Sequence, residues 1–189
     1  MHAHQLWIKH SKCAFTTSSM AYLGHVISAF SVIMDGDKVA TVASWQQPAS
    51  AQGLHSFLRL AGYYQRFIKN FGILVAPLTK LLHKEGFRWT DEATMAFIVL
   101  KEALSTTPVL HLLDFSKPFV FNCDMSRTGF SAVLHQDIGP LVFYSKLFAM
   151  HHLKVAAYER ELIRPVQVMH HWCPCLWGYQ FIVQTNHYG

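Results

Sequence analysis

No apolar run in this sequence approaches the roughly 20 residues needed to cross a bilayer, so no membrane-spanning helix is expected. The first residues, Met1-His-Ala-His-Gln-Leu-Trp-Ile, lack the apolar stretch and small-residue cleavage site of a secretory signal. An intracellular location with no membrane partner is the expectation. Cysteine is scarce: Cys13, Cys123, Cys173 and Cys175, of which only the last two are close. That excludes a secreted disulfide framework and favours reduced thiols. Charged residues are few, at 14%, while hydrophobic residues reach 51%. This balance excludes a disordered chain and supplies a packed core. Repeats and low-complexity tracts are also missing. A length of 189 residues allows one large domain or two small ones.

The charge that is present is unevenly placed. Residues 1–89 carry nine Lys/Arg against three Asp/Glu, a balance of +6. Residues 90–189 carry seven against eight, a balance of −1. A basic front half joined to a near-neutral half points to a polyanion held by one part and handled by the other. A basic surface kept for solubility would leave the same imprint.

Short β segments are predicted at Gln5–Lys9, Met20–Ser28 and Lys38–Trp45, with Asp35-Gly36-Asp37 as a turn. From Ala51 to Asn70 the period becomes helical. Leu54, Phe57, Leu58, Ala61, Tyr64 and Ile68 fall on one stripe, and His55, Arg59, Gly62, Tyr63 and Arg66 on the other face. Leu74–His83 reads as a second helix with Pro77 in its first turn, and Asp91–Ser105 as a third with acids at its positive end. After Pro108 the pattern turns to strands at Phe119–Asp124, Phe130–Gln136 and Leu141–Ser145. A helix over Ala156–Trp172 and a strand over Gln180–Thr185 follow.

Acids occupy telling places in this order. Asp124 ends the first of these strands, Glu161 lies on the helix with Glu159 nearby, and the last strand runs into Asn186. Strand, helix and strand can gather carboxylates at one sheet edge. Two-metal phosphodiester cleavage needs such a cluster, because magnesium takes hard oxygen ligands. Taken singly, an acid after a strand is ordinarily a turn former, and helix acids are ordinarily solvated.

At the level of whole motifs, the chain resembles the reverse transcriptase–ribonuclease H region of a gypsy-class LTR retrotransposon polyprotein. The matching segments include Ser11-Lys-Cys-Ala-Phe, Ala21-Tyr-Leu-Gly-His-Val-Ile-Ser, Leu60-Ala-Gly-Tyr-Tyr-Gln-Arg-Phe-Ile, Ala76-Pro-Leu-Thr-Lys-Leu-Leu and Phe87-Arg-Trp-Thr. They continue through Cys123-Asp-Met-Ser-Arg-Thr-Gly-Phe-Ser-Ala-Val-Leu-His-Gln, Ala157-Tyr-Glu-Arg-Glu-Leu and Thr185-Asn-His-Tyr. The resemblance spans nearly the whole chain in the family's order.

It implies an α/β fold: an incomplete ribonuclease H-like mixed sheet preceded by a helical thumb/connection region. Residues 1–45 would be the end of the polymerase palm, 46–114 the thumb and connection, and 115–189 a truncated ribonuclease H-like domain. Tyr22, Gly24 and His25 match a hairpin that grips the primer end. His55, Arg59, Gly62, Tyr63 and Arg66 would lie along an RNA–DNA hybrid, with glycine allowing close approach and the others giving charge and stacking. Asp124 and Glu161 match catalytic, magnesium-binding acids. Asn186 stands where the family has a third acid. The fourth acid would lie past residue 189 and the polymerase aspartates before Met1; the rest of a polyprotein would be a partner.

Further departures concern the helix and its neighbours. Pro165 loses its hydrogen bond to the carbonyl of Glu161, at a cost of roughly 3 kcal/mol. Ser131 replaces a family glycine. His170, Cys173, Gln180 and Gln184 stand where the family is arginine-rich, a pattern of mutational decay. The group His170, His171, Cys173 and Cys175 is not spaced as a structural zinc site. The expectation is hydrolysis of RNA in hybrids that is weak or lost, since an amide is a poorer magnesium ligand than a carboxylate. Two alternatives stand beside it: a non-catalytic hybrid-binding remnant and an open reading frame without a role.

Overall fold

The computed structural model describes residue 13 and residues 17–83, 87–126, 128–148 and 157–185; within these, the side chains of 125, 157–164 and 185 are not described. The predicted strand at Gln5–Lys9 and the Ser11-Lys-Cys-Ala-Phe segment, Cys13 apart, lie outside these residues.

The first sheet grows from a tight hairpin. Strands β1 (Ser19–Tyr22) and β2 (His25–Ser28) pair antiparallel with Tyr22 opposite His25. Leu23 and Gly24 form the turn, with φ of 48° and 76°. Positive φ at both central residues is the type I′ geometry that suits the twist of a two-residue hairpin. Strand β3 (Ser31–Met34) continues the sheet, and the short β4 (Leu110–His111) returns much later to pair with it.

A helix, α1 (Gly36–Ala43), takes in the predicted turn residues Gly36 and Asp37 and most of the strand predicted over Lys38–Trp45. Asp35 is its N-cap, accepting a hydrogen bond from the Asp37 N–H at 2.9 Å. Val39 and Val42 then fall on the buried side at helical spacing. Capping and packing outweigh the β preference of Val and Thr. Helix α2 (Ala51–Tyr63) starts at Ser50, whose hydroxyl accepts from Gly53 N–H at 3.2 Å. The regular helix ends earlier than predicted and passes into a single 3-10 turn over Gln65–Phe67. Two short helices, α3 (Phe71–Leu74) and α4 (Ala76–Leu82), replace the single helix expected over 74–83, with Pro77 in the first turn of α4. Helix α5 (Asp91–Ser105) has the predicted bounds, with Thr90 as its cap and Asp91 and Glu92 at its positive end.

One core joins these elements. Leu54, Phe57, Ala61, Tyr64, Phe67 and Ile68 meet Phe97, Leu100 and Leu104 of α5, and Met34 and Val42 close the cluster. Phe57 lies 4.7 Å from Phe97 between ring centres. The segments on either side of residue 46 therefore share a single interior.

The second sheet has strand order β7-β6-β5-β8, from β5 (Phe119–Met125), β6 (Gly129–Gln136), β7 (Gly139–Leu147) and β8 (Phe181–Thr185). The first three form an antiparallel meander, and β8 runs parallel to β5. A parallel neighbour needs a crossover, and α6 (Ala157–Leu176) supplies it. This helix stays continuous across Pro165 and Pro174 and runs four residues past its predicted end, Trp172. Val168, Trp172 and Leu176 bury against Phe119, Phe121 and Cys123, which holds the helix despite its missing donors.

Strand β7 ties the two cores together. Phe143 packs into the first, while Val142 and Tyr144 pack into the second, as strand alternation requires. Gly72 of α3 lies against it and donates its N–H to Ser145 Oγ at 2.7 Å. A Cβ at Gly72 would meet Ser145 O at 2.9 Å and Lys146 Cα at 3.1 Å, so glycine is what permits this approach. Among the described residues, no helix is long and apolar enough to cross a membrane.

Candidate nucleic-acid interface and carboxylate site

The hairpin and the end of α2 meet through rings and hydroxyls. Tyr63 Oη donates to Leu23 O at 2.6 Å, and Tyr64 Oη donates to Gly24 O at 3.0 Å. The Asp35 N–H also donates to Gly24 O, at 3.0 Å. His25 stacks on Tyr63 at 5.3 Å and on Phe67 at 5.5 Å, with Tyr64 edge-on at 5.4 Å. Its Nδ1 is buried without a hydrogen-bond partner. Burial, then the positive charge of Arg66, lowers the His25 pKa below its usual value. Burial raises that of Tyr64, with Tyr63 and Asp35 adding to the effect, so its hydroxyl stays a donor.

This arrangement unites residues that the sequence places 40 positions apart. Tyr22 and His25 flank the turn, and Gly24 sits in it. A Cβ at Gly24 would meet the Tyr64 hydroxyl at 2.5 Å, besides the positive φ. On α2 and the turn after it, His55, Arg59, Tyr63 and Arg66 are exposed, opposite the buried stripe of Leu54, Phe57, Ala61 and Tyr64. A Cβ at Gly62 would meet nothing within 4 Å, so the fold itself does not demand glycine there. From sequence, Tyr64 is legible only as a core residue. The clue to its second role is its hydroxyl, which a buried tyrosine must satisfy.

In the second sheet, Asp124 is exposed near the end of β5, paired in register with the buried Ser131. The neighbouring strand β8 pairs Thr185 with Cys123, so both strands finish together at this edge. Asn186 follows in sequence but lies outside the described residues. Glu159 and Glu161 belong to α6, and their side chains are likewise not among those described. A hard divalent cation wants about six oxygen ligands, and the described side chains supply one carboxylate here. That set does not fit such an ion by itself. Among the described residues, no group of three His, Cys, Asp or Glu could hold a metal, and His170, Cys173 and Cys175 are no exception. His170 and Cys173 instead line an apolar cleft between α6 and β8.

Residues 89–183 match the family model described as an RNase H-like domain found in reverse transcriptase. An uncharacterized mitochondrial protein of Arabidopsis thaliana is 45% identical over 119 residues, covering 62% of this chain and 75% of that protein. A retrovirus-related Pol polyprotein from transposon 297 of Drosophila melanogaster is 33% identical over 178 residues. That match covers 93% of this chain and 17% of the polyprotein, so the chain corresponds to a small part of it. Among solved structures, the foamy viral protease-reverse transcriptase in complex with RNA/DNA hybrid superposes with a TM-score of 0.83 at 21% identity. It covers 95% of this chain and 25% of that one, a likeness of fold. Motif order, sheet topology and these matches agree, and the chain belongs to the RNase H-like domains found in reverse transcriptase, as a reverse transcriptase/RNase H-like portion of a retrotransposon polyprotein.

Proposed function

We propose that this chain holds an RNA–DNA hybrid through the hairpin and the exposed face of α2, and cuts its RNA strand weakly or not at all. The observation that carries the reading is the placement of His55, Arg59 and Arg66 on one open face, joined through Tyr63 to the Tyr22–His25 turn. Arginines neutralise phosphates and release counterions. A mid-helix glycine costs about 1 kcal/mol against alanine. With no internal neighbour requiring Gly62, close approach of a ligand backbone is its best use. The Drosophila relative and the motif series support assignment to gypsy-class LTR elements, and the division into palm end (1–45), thumb/connection (46–114) and RNase H-like part (115–189) follows from that assignment. The wider polyprotein would then supply the remaining catalytic parts.

Asp124, Glu161 and the position of Asn186 would form the magnesium-facing edge. An amide at the third position removes one negative charge from a site that works by charge. No chemical step is therefore assigned to this chain.

Fluorescence anisotropy with a labelled hybrid tests the binding. The dissociation constant is expected to rise steeply with salt. Arg59→Ala and Arg66→Ala should each lower the log–log slope by roughly 0.7–0.9 for every phosphate that is no longer neutralised. Salt-independent binding, or slopes unchanged in both variants, would rule the surface out.

A further inference from the structure

Resting on the hybrid-binding reading above, we propose that Tyr63 is a positioning residue: its hydroxyl clamps the Leu23–Gly24 turn so that hairpin and α2 grip one duplex at a fixed spacing. Three observations lead there. Leu23 holds a left-handed φ of 48° although it is not glycine. Such a backbone costs an L-residue roughly 1–2 kcal/mol, and it persists only where the surroundings impose it. The surroundings here are the two-residue hairpin together with three hydrogen bonds on its two turn carbonyls, from Tyr63, Tyr64 and the Asp35 N–H.

The second observation is what the clamp exposes. Leu23 is 68% exposed at the tip and Tyr22 56% beside it. With both turn carbonyls turned inward to the tyrosines, the acceptors that would repel a phosphate are occupied. The third is the state of Tyr63 itself. It keeps 48% of its surface exposed, yet its hydroxyl is spent on Leu23 and its ring on His25. Its chemistry is directed at the hairpin, while Arg59 and Arg66 are left to face solvent. Two modest binding surfaces held rigidly bind more tightly than the same surfaces loosely joined, since engagement of the second becomes intramolecular.

The test is a double-mutant cycle on hybrid affinity in the full chain, with thermal midpoints recorded for every variant. Tyr63→Phe keeps the stack on His25 and removes only the hydroxyl, at an exposed position, so folding is retained. It is expected to weaken hybrid binding about 3- to 10-fold, the size of one neutral hydrogen bond. In a Tyr22→Ala background, where the hairpin no longer offers its own ring to the duplex, the Tyr63→Phe effect should shrink to less than about 2-fold. In an Arg59→Ala background it should shrink only in part, because Arg66 and His55 still hold the helix side of the duplex. Unaltered binding by Tyr63→Phe overturns the clamp and leaves hybrid binding standing. So does an effect that disappears with Arg59→Ala but not with Tyr22→Ala, for that would make Tyr63 part of the helix surface. If the unmodified chain shows no salt-dependent hybrid binding, the function and the clamp fall together.

Discussion

In the region of residues 17–111, the side chains left outside the core include cations gathered on one face, Arg59 and Arg66 among them. In the region of residues 119–185, the surface is of another kind. From Pro165 to Gly189 the sequence contains no Asp, Glu, Lys or Arg. Trp177 is 80% exposed there, and Phe181, Ile182 and Val183 of β8 are exposed as well. The two edges of the second sheet differ in the same way. Strand β7 is covered by α3 through Gly72 and Ser145, whereas β8, the opposite edge strand among the described residues, carries no charged residue. Both regions nevertheless enclose a continuous core. Packing depends on area and tolerates exchange of apolar neighbours. A carboxylate site depends on each charge singly, so one amide or one proline can spoil it while the interior persists.

The largest expected effect lies in the first core. Phe57 is fully buried between Trp45 and Phe97. Phe57→Ala should cost about 3–5 kcal/mol, seen as a lowered denaturant midpoint. Because β7 joins both cores, fluorescence and far-UV dichroism should report one shared transition. Two separate transitions would show that the regions fold independently, each with a stability of its own. Next in size is the joint itself. Gly72→Ala pushes a methyl into the backbone of Ser145 and Lys146, and should cost about 1–3 kcal/mol. A variant as stable as the parent would mean that α3 can simply move off β7.

Acid acts on the hairpin side. His25 faces Tyr63, Tyr64, Phe67 and Arg66, with no acid among the groups that shift its pKa, and its folded pKa lies below the unfolded value of 6.5. The unfolded chain therefore takes up the proton first. The stability contributed by neutral His25 is fully present above 6.5 and is lost as pH falls toward the folded pKa. Thermal midpoints measured from neutral to mildly acid pH should fall, and less so in His25→Phe, which keeps the ring packing without the titration. Equal slopes in both proteins would remove His25 as the cause.

Much of the fold is legible in the sequence, and the exceptions have physical reasons. The stripe Leu54, Phe57, Ala61 and Tyr64 is readable because helical periodicity repeats over several turns. Strands β5 to β8 are readable because alternation and turn residues agree. Residues 38–45 read as a strand because Val and Thr favour strands, while the deciding features for helix α1 are the Asp35 cap and burial of Val42. The end of α6 is misplaced by pattern alone because Pro174 signals a stop that packing of Leu176 overrides. For the candidate site, the motif order singles out Asp124 and the α2 face as a proposal. It cannot show that Tyr63 and Tyr64 reach back to Leu23 and Gly24, because a hydroxyl–carbonyl pairing across 40 residues leaves no local pattern.

The smallest expected effect is the one that most sharpens the contrast between the observed fold and the proposed loss of chemistry. Asp124 is exposed near a strand end, where replacing a carboxylate by its isosteric amide breaks no described hydrogen bond or ion pair. Asp124→Asn should therefore change stability by less than about 0.5 kcal/mol. In an intact nuclease the same change would abolish cleavage, because the first acid is the anchor of the metal pair. On the proposed assignment, with Asn186 at the third acid's position, a magnesium-containing assay on labelled hybrid should give the same faint or absent product with and without Asp124. Robust cutting by the parent chain that disappears in Asp124→Asn would reverse the reading: it would show a site that still works with an amide in its third position.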